Sequence, residues 1–131
     1  PINTFVGNKI SKYIIHNKKM IFSDLERKSK YLNEELNNFF KINNFQAKCL
    51  RASSMLRIVF TKENIINRFQ RDFFEKKNTS KINQFRKFLF TKKIYYPTSG
   101  IIFLGTSTNK KDLDYMIKII KLAFLKIFKK H

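Results

Sequence analysis

Residues able to do acid, base or metal chemistry are few in this chain, and their spacing is poor. Asp112 and Asp114 stand two apart, so on a helix turning about 100° per residue they point about 200° from each other. That makes a weak general acid/base pair, and their expected job is to offset a helix dipole. Glu34-Glu35 reads as a solvated helix face. Cys49 is the single cysteine, and with His16 and His131 as the only imidazoles there is no Cys/His cluster to hold zinc. Cys49 is expected to be a small buried side chain. The serines near His16 form no recognisable triad, and no glycine-rich nucleotide loop is present. No catalytic residue and no metal ligand is therefore assigned. Thr4, Gly7 and Asn8 remain, in a T-x-x-G-N spacing at a chain start without Met. They raise the question of whether Pro1 opens a protein or is a cut inside one.

The 131 residues give room for one domain with a real core. A hydrophobic content of 43%, with 15 Phe, argues against disorder. Only 3 Gly and 2 Pro are too few for a loop-rich all-β protein, so helices joined by brief strands are expected. A net charge of +19 would ordinarily point to nucleic acid or an anionic membrane. Its distribution weakens that reading, because the pairs Lys18-Lys19, Lys76-Lys77, Lys92-Lys93, Lys110-Lys111 and Lys129-Lys130 are spread along the whole chain. The abundance of Asn, Ile and Phe beside Lys is the pattern of A/T-rich codons, so the charge is read first as compositional bias. No run of about 18 apolar residues and no secretory leader is seen. A cytoplasmic protein without a membrane partner is expected.

The elements that must position these residues follow from periodicity. Ser23-Asp24-Leu25-Glu26 is a capping box, predicting a helix start at Ser23. Leu25, Ser29, Leu32, Leu36, Phe39 and Phe40 then share one stripe, with Arg27, Lys30 and Glu34 opposite. "AKCLRASSMLRIVFT" loses that period and reads as two strands about Ser53-Ser54, the second more buried. "EKKNTS" belongs to a polar stretch, and Lys81 to Thr91 returns to helical spacing with Ile82, Phe85, Phe88 and Leu89 on one side.

"IYYPTSGIIFLG" reads as two β pieces about a Pro-Thr-Ser-Gly turn, the first ending at Pro97, which cannot donate to a ladder. A last helix begins at Thr108 or Asn109 as N-cap. Its stripe of Leu113, Met116, Ile117, Ile120, Ala123, Phe124, Ile127 and Phe128 is expected to pack on a sheet rather than lie on a membrane, with Lys118, Lys121, Lys126 and Lys129 on the other side. The order predicts an α+β fold, a small antiparallel sheet of three to four strands covered by helices.

Short motifs in three stretches together carry a family resemblance. "IYYPTSGIIFLGTSTNKKDLDYMIKIIKLAFLKI" resembles the C-terminal end of class III pyridoxal-phosphate-dependent aminotransferases, above all the glutamate-1-semialdehyde aminomutase branch. Pro97, Ser99, Phe103, Leu104, Thr106, Asp112, Leu113 and Asp114 keep that family's frame of a P-S turn, an F-L strand and a D-I-D helix start. "SSMLRIVFT" is similar to its G-S-M-x-x-x-x-F-T strand through Ser54, Met55, Phe60 and Thr61. Thr4-Phe5-Val6-Gly7-Asn8 is similar to its G-T-x-x-G-N-P segment, with Asn3 in place of Gly and Lys9 in place of Pro. Other departures are Thr108 for a His, Gly105 for a Ser, and no acidic residue by Gly100. These leave the substrate and the exact reaction open.

The resemblance implies the C-terminal domain of a pyridoxal-phosphate transferase of fold type I. Residues 1–22 would be the cofactor-phosphate turn and helix leading from a large domain, and residues 23–131 the small domain. Pro1 is then expected to be a cut inside a longer enzyme. Thr4 would contact the cofactor phosphate across a dimer interface, a fit supported by its hydroxyl and nearby backbone N–H groups. The Schiff-base lysine, the acid partnering the pyridine nitrogen and the ring-stacking aromatic all precede this segment in such enzymes. The chain alone is thus not expected to catalyse transamination. It would supply a pocket wall, a dimer contact and a moving lid, beside a large cofactor-binding domain upstream or in a partner chain. A free-standing basic α+β module binding nucleic acid is the alternative, and an inactive relative kept as a scaffold is a third.

Overall fold

The computed structural model describes residues 2–128. Pro1, Lys129, Lys130 and His131 lie outside them, and with them the expected cut at Pro1 and the Lys129 end of the last polar face.

The first element, α1, is a single helix spanning Ile2–Ile42. At about 1.5 Å per residue it is about 60 Å long. It does not begin at Ser23: the Ser23 hydroxyl donates back to the carbonyls of Lys19 and Met20, at 2.5 and 3.3 Å. A serine inside a helix is free to bond in this way. No Gly or Pro between Gly7 and Pro97 interrupts the ladder. The same reason corrects the expected phosphate turn. With Lys9 where the family has Pro, and Gly7 costing only about 1 kcal/mol, Thr4, Gly7 and Asn8 lie inside the helix.

Only the second half of α1 packs. Lys28, Ser29, Leu32, Leu36 and Phe40 are buried, with Leu25 and Phe39 beside them, along the stripe the sequence predicts. The helix ends in a Schellman arrangement: Phe45 N donates to Phe40 O at 2.9 Å, Asn44 N to Lys41 O at 3.2 Å, and Asn44 takes φ 53°.

Strands β1 (Lys48–Ala52) and β2 (Met55–Val59) pair in register Lys48↔Val59 to Ala52↔Met55, with Ser53 at φ 51° turning the corner. Strand β3 (Ile101–Phe103) joins β2 on its other side, giving an antiparallel order β1-β2-β3. The buried side chains Cys49, Leu56 and Ile58 alternate along their strands, so one face of the sheet enters the core.

Helix α2 (Arg68–Lys76) stands in the polar stretch before α3, where no element is expected from the sequence. It buries no residue, and Phe69 and Phe73, four apart along it, are exposed; Asn67 caps it by accepting from Gln70 N at 3.0 Å. Helix α3 (Thr79–Thr91) carries buried Phe85 and Leu89. Ile94 to Tyr96, expected as a strand, pair with nothing in the sheet, which therefore has three strands. Lys93 at φ 58° swings the chain away from a ladder, and Pro97 supplies no donor.

Helix α4 (Lys110–Ile127) opens with a capping box of Asn109 and Asp112. Leu113, Ile117, Ile120, Ala123 and Phe124 are buried as the wheel predicts, and Ile119 joins them from outside that stripe. Helix α1 packs on β1 and β2, α4 packs on α1, and α3 packs on α4, an α+β arrangement. Phe124 is the meeting point, its ring 4.5 Å from Phe40, 5.4 Å from Phe85 and 5.7 Å from Phe60 between centroids.

Candidate functional site: the cleft beside strand β3

Because Ile94 to Tyr96 leave the sheet, the free edge of β3 does not close against them. A cavity of about 580 Å³ opens between that edge, the end of α3 and the start of α4. Leu89, Ile94, Met116 and Ile120 form its apolar depth. Tyr95, Phe103 and Tyr115 stand at its mouth as exposed rings. Tyr115 Oη donates to Lys92 O at 3.1 Å, which ties α4 to the end of α3 across the opening.

The turn from Pro97 to Gly100 is held from below. Gly100 N donates to Pro97 O at 2.9 Å, and Gly100 takes φ 71°. A Cβ there would lie 3.2 Å from Tyr96 Oη and 3.5 Å from the Arg57 guanidinium. Glycine is thus required on conformational and on spatial grounds. Arg57 Nη1 donates to Ser99 O, and Arg57 reaches Glu75 on α2 at 3.6 Å. Glu75 also takes Arg71 at 3.8 Å and accepts the Phe60 amide at 3.1 Å. Helix α2, buried nowhere, therefore anchors the turn through charge. Burial pushes the Tyr96 phenol far above its ordinary value, so it stays protonated.

Of the family-frame residues, Pro97, Ser99, Phe103 and Asp112 line this one cavity. Two frame segments far apart in sequence are neighbours in the sheet: Met55 pairs with Phe103, and Leu104 N donates to Ser54 O at 3.1 Å. Thr106 O accepts from Lys28 Nζ at 2.9 Å, and Thr61 is buried with Oγ1 accepting from Glu63 N. Asp114 accepts from Tyr31 Oη at 2.7 Å and pairs with Lys110 at 3.0 Å; the tyrosine bond first, then the lysine, holds its carboxyl below the usual range. Asp112 accepts from Asn109 N at 3.0 Å in the capping box. Both carboxylates thus have structural partners. With Lys93 and Asp112 as the charged lining residues, the cleft can shape and dry a bound group but holds no paired acid and base.

Thr4 lies elsewhere, exposed in the first turn of α1. The leading N–H groups of a helix lack intrahelical partners, this first turn carries no carboxylate, and nothing lies within 4 Å of a Cβ built on Gly7. Those features fit a phosphate group. Glu34 is exposed, and Glu35 pairs with Lys121 at 2.8 Å. Cys49 is buried, and burial pushes its thiol up to about 11. Among the described residues no group of His, Cys, Asp and Glu could hold a metal ion, and no helix is long and apolar enough to cross a membrane. Sequence reasoning missed Lys28, buried and paired with Asp24 at 2.5 Å, although the i,i+4 spacing is a readable signal. It also missed the Arg57–Glu75–Arg71 group, in which Arg71 and Glu75 stand four apart but no local pattern connects Arg57 to them.

No family model matches the chain. Over 108 residues, 81% of the chain, it is 27% identical to glutamate-1-semialdehyde 2,1-aminomutase 2 of Bacillus pumilus (strain SAFR-032). The chain is similar in sequence to a glutamate-1-semialdehyde aminomutase. It spans only 24% of that aminomutase's length. The fold is that of part of a glutamate-1-semialdehyde-aminomutase from Pseudomonas aeruginosa PAO1 solved with PMP, at a TM-score of 0.70 and 7% identity, covering 82% of this chain and 23% of the other. A beta-phenylalanine aminotransferase from Variovorax paradoxus matches at a TM-score of 0.61 and 14% identity, over 77% and 23% of the two chains. The likeness to an aminomutase read from short motifs thus coincides with the fold, an α+β domain found within much larger enzymes.

Proposed function

We propose that the chain is the C-terminal part of a pyridoxal-phosphate-dependent aminotransferase or aminomutase and is not catalytic alone. The observation that carries this reading is the sequence relation to the aminomutase over 81% of the chain, in a segment only 24% as long as that relative. Residues 1–22 would lead from the large domain, and residues 23–131 form the small domain. The contrast along α1 supports that division: Ile2, Phe5, Val6, Ile10, Met20 and Phe22 are all exposed, whereas the half beyond packs on the sheet. Apolar side chains in such number on one uncovered helix mark a contact surface, here for a large domain or a second subunit of a cytoplasmic homodimer.

Thr4 would bind the cofactor phosphate through its hydroxyl, assisted by the free N–H groups of the first turn. The cleft beside β3 would form one wall of the substrate pocket, with Tyr95, Phe103 and Tyr115 excluding water at its mouth. The bound cofactor supplies an electron sink for the amino substrate, and its anchoring lysine comes from the large domain.

The test is a polypeptide joining this chain to a lysine-bearing large domain, titrated with pyridoxal phosphate and followed by visible absorption. A band from lysine-bound cofactor is expected, and Thr4→Ala should weaken cofactor affinity about tenfold, roughly the loss of one charge-assisted hydrogen bond. Absence of the band sinks the enzyme reading and leaves an inactive scaffold. A band with unchanged affinity in Thr4→Ala sinks the phosphate contact alone.

A further inference from the structure

A second cleft, also of about 580 Å³, lies along α3 and is closed on one side by Tyr95 and Tyr96. Its lining is chemically unlike that of the first. Arg86 and Lys87 bring two cations, and Asn83 and Thr91 bring neutral hydrogen-bonding groups. Phe90 and Tyr95 bring two rings standing 71% and 80% exposed. Among the described residues no carboxylate lines this cleft. Its positive charge is therefore not compensated from within.

Arg86 adds a sharper observation. Its Nε is buried without a hydrogen-bond partner, and its Nη1 makes only a long contact of 3.4 Å to Asn83 Oδ1. Buried guanidinium N–H groups are rarely left unpaired, because the lost hydration is uncompensated. The other two such orphans among the described residues, Arg57 Nε and Tyr96 Oη, belong to residues packed at Gly100. Tyr96 also lines this cleft, so two of the three orphans belong to its lining, and Arg86 is the one that carries a charge.

We propose that this cleft binds a nucleoside phosphate, with Arg86 and Lys87 on the phosphate and Phe90 and Tyr95 against the base. A guanidinium fork matches phosphate oxygens in geometry as well as charge. Exposed rings offer a stacking surface that any base can use. The cleft volume falls within the range of about 300–1,000 Å³ usual for small-ligand sites. A free mononucleotide and a nucleotide within a single strand present the same chemistry. The site shares Tyr95 and Tyr96 with the first cleft but needs neither Thr4 nor the cofactor reading.

The full chain is titrated by calorimetry at physiological salt with AMP, adenosine, inorganic phosphate and a single-stranded oligoadenylate. AMP should bind at least about tenfold more tightly than adenosine or phosphate alone, since both halves of the site are engaged. Arg86→Gln and the double change Phe90→Ala with Tyr95→Ala should each weaken AMP about tenfold. Lys87→Gln, on an exposed side chain, keeps the test informative should Arg86→Gln fail to fold. Lys12→Gln, on the uncovered half of α1, should change nothing. Oligoadenylate binding lost in Lys87→Gln, with weak AMP binding, assigns the same site to nucleotides within a strand. AMP binding no tighter than phosphate, or weakened equally by Lys12→Gln, reports only the general charge of +19 and overturns the proposal.

Discussion

The side-chain amide of Asn37 closes both hydrogen bonds of the Cys49 backbone: Nδ2 donates to the carbonyl at 2.9 Å, and Oδ1 accepts the N–H at 2.8 Å. Asn33 Nδ2 adds a second donor to the same carbonyl at 2.7 Å. Strand β1 is an edge strand, so these groups face away from β2. Helix α1 thereby caps an edge that would otherwise invite pairing with another chain.

Asn37→Ala should cost about 2 kcal/mol, because it strands a part-buried donor and weakens support of the acceptor. The urea midpoint should fall with an unchanged slope. A midpoint within error of the parent would mean the amide contributes nothing to the union of α1 and β1.

Gly100→Ala forces a β-carbon into left-handed backbone at φ 71° and to 3.2 Å from Tyr96 Oη. A loss of about 1–2 kcal/mol is expected from the conformation alone. Thermal unfolding reads it. A neutral or stabilising result would show that the Pro97–Gly100 turn relaxes freely.

Phe124→Ala removes the ring that touches Phe40, Phe60 and Phe85 at once. Its site is 1% exposed, so little solvent can fill the space, and a cost of about 3–5 kcal/mol is expected. Loss of cooperative unfolding is the signature; a cost under about 1 kcal/mol would contradict Phe124 as the meeting point of three helices.

Cys49 makes stability fall in alkali. Its folded-state value is raised from 9.0 to about 11 by burial, so the native state holds the thiol proton more tightly than the unfolded chain. The contribution is complete below about pH 9 and is lost as pH climbs toward 11. Tyr96 shifts in the same direction for the same cause. Urea unfolding at pH 8 and pH 10.5 should show a larger decline for the parent than for Cys49→Ala, by about 1–2 kcal/mol. Equal declines would remove the thiol from the explanation.

Where a residue's role depends on its neighbours along the chain, the sequence alone determined the outcome. The i, i+4 stripe of Leu32, Leu36 and Phe40, the buried face from Leu113 to Phe124, the corner at Ser53-Ser54 and the Asn109 cap were all legible. Each is set by a period or by a hydrogen bond spanning three residues. The aminomutase likeness was legible for a similar reason, because residue types at fixed offsets survive where overall identity is only 27%.

Tertiary structure decided the rest. Ser23 carries a good start signal yet sits mid-helix, since a cap forms only where the preceding residues leave the helix, and nothing before it compels that. Ile94 to Tyr96 have strand composition but no strand, because a ladder needs a partner edge and Lys93 turns them away from β3. Glu75 could be tied to Arg57 only by folding, as could the meeting of Pro97, Phe103 and Asp112 around one cavity. Local pattern fixes which face of an element is apolar; which elements then meet depends on contacts between residues far apart in the chain, and no short window contains them.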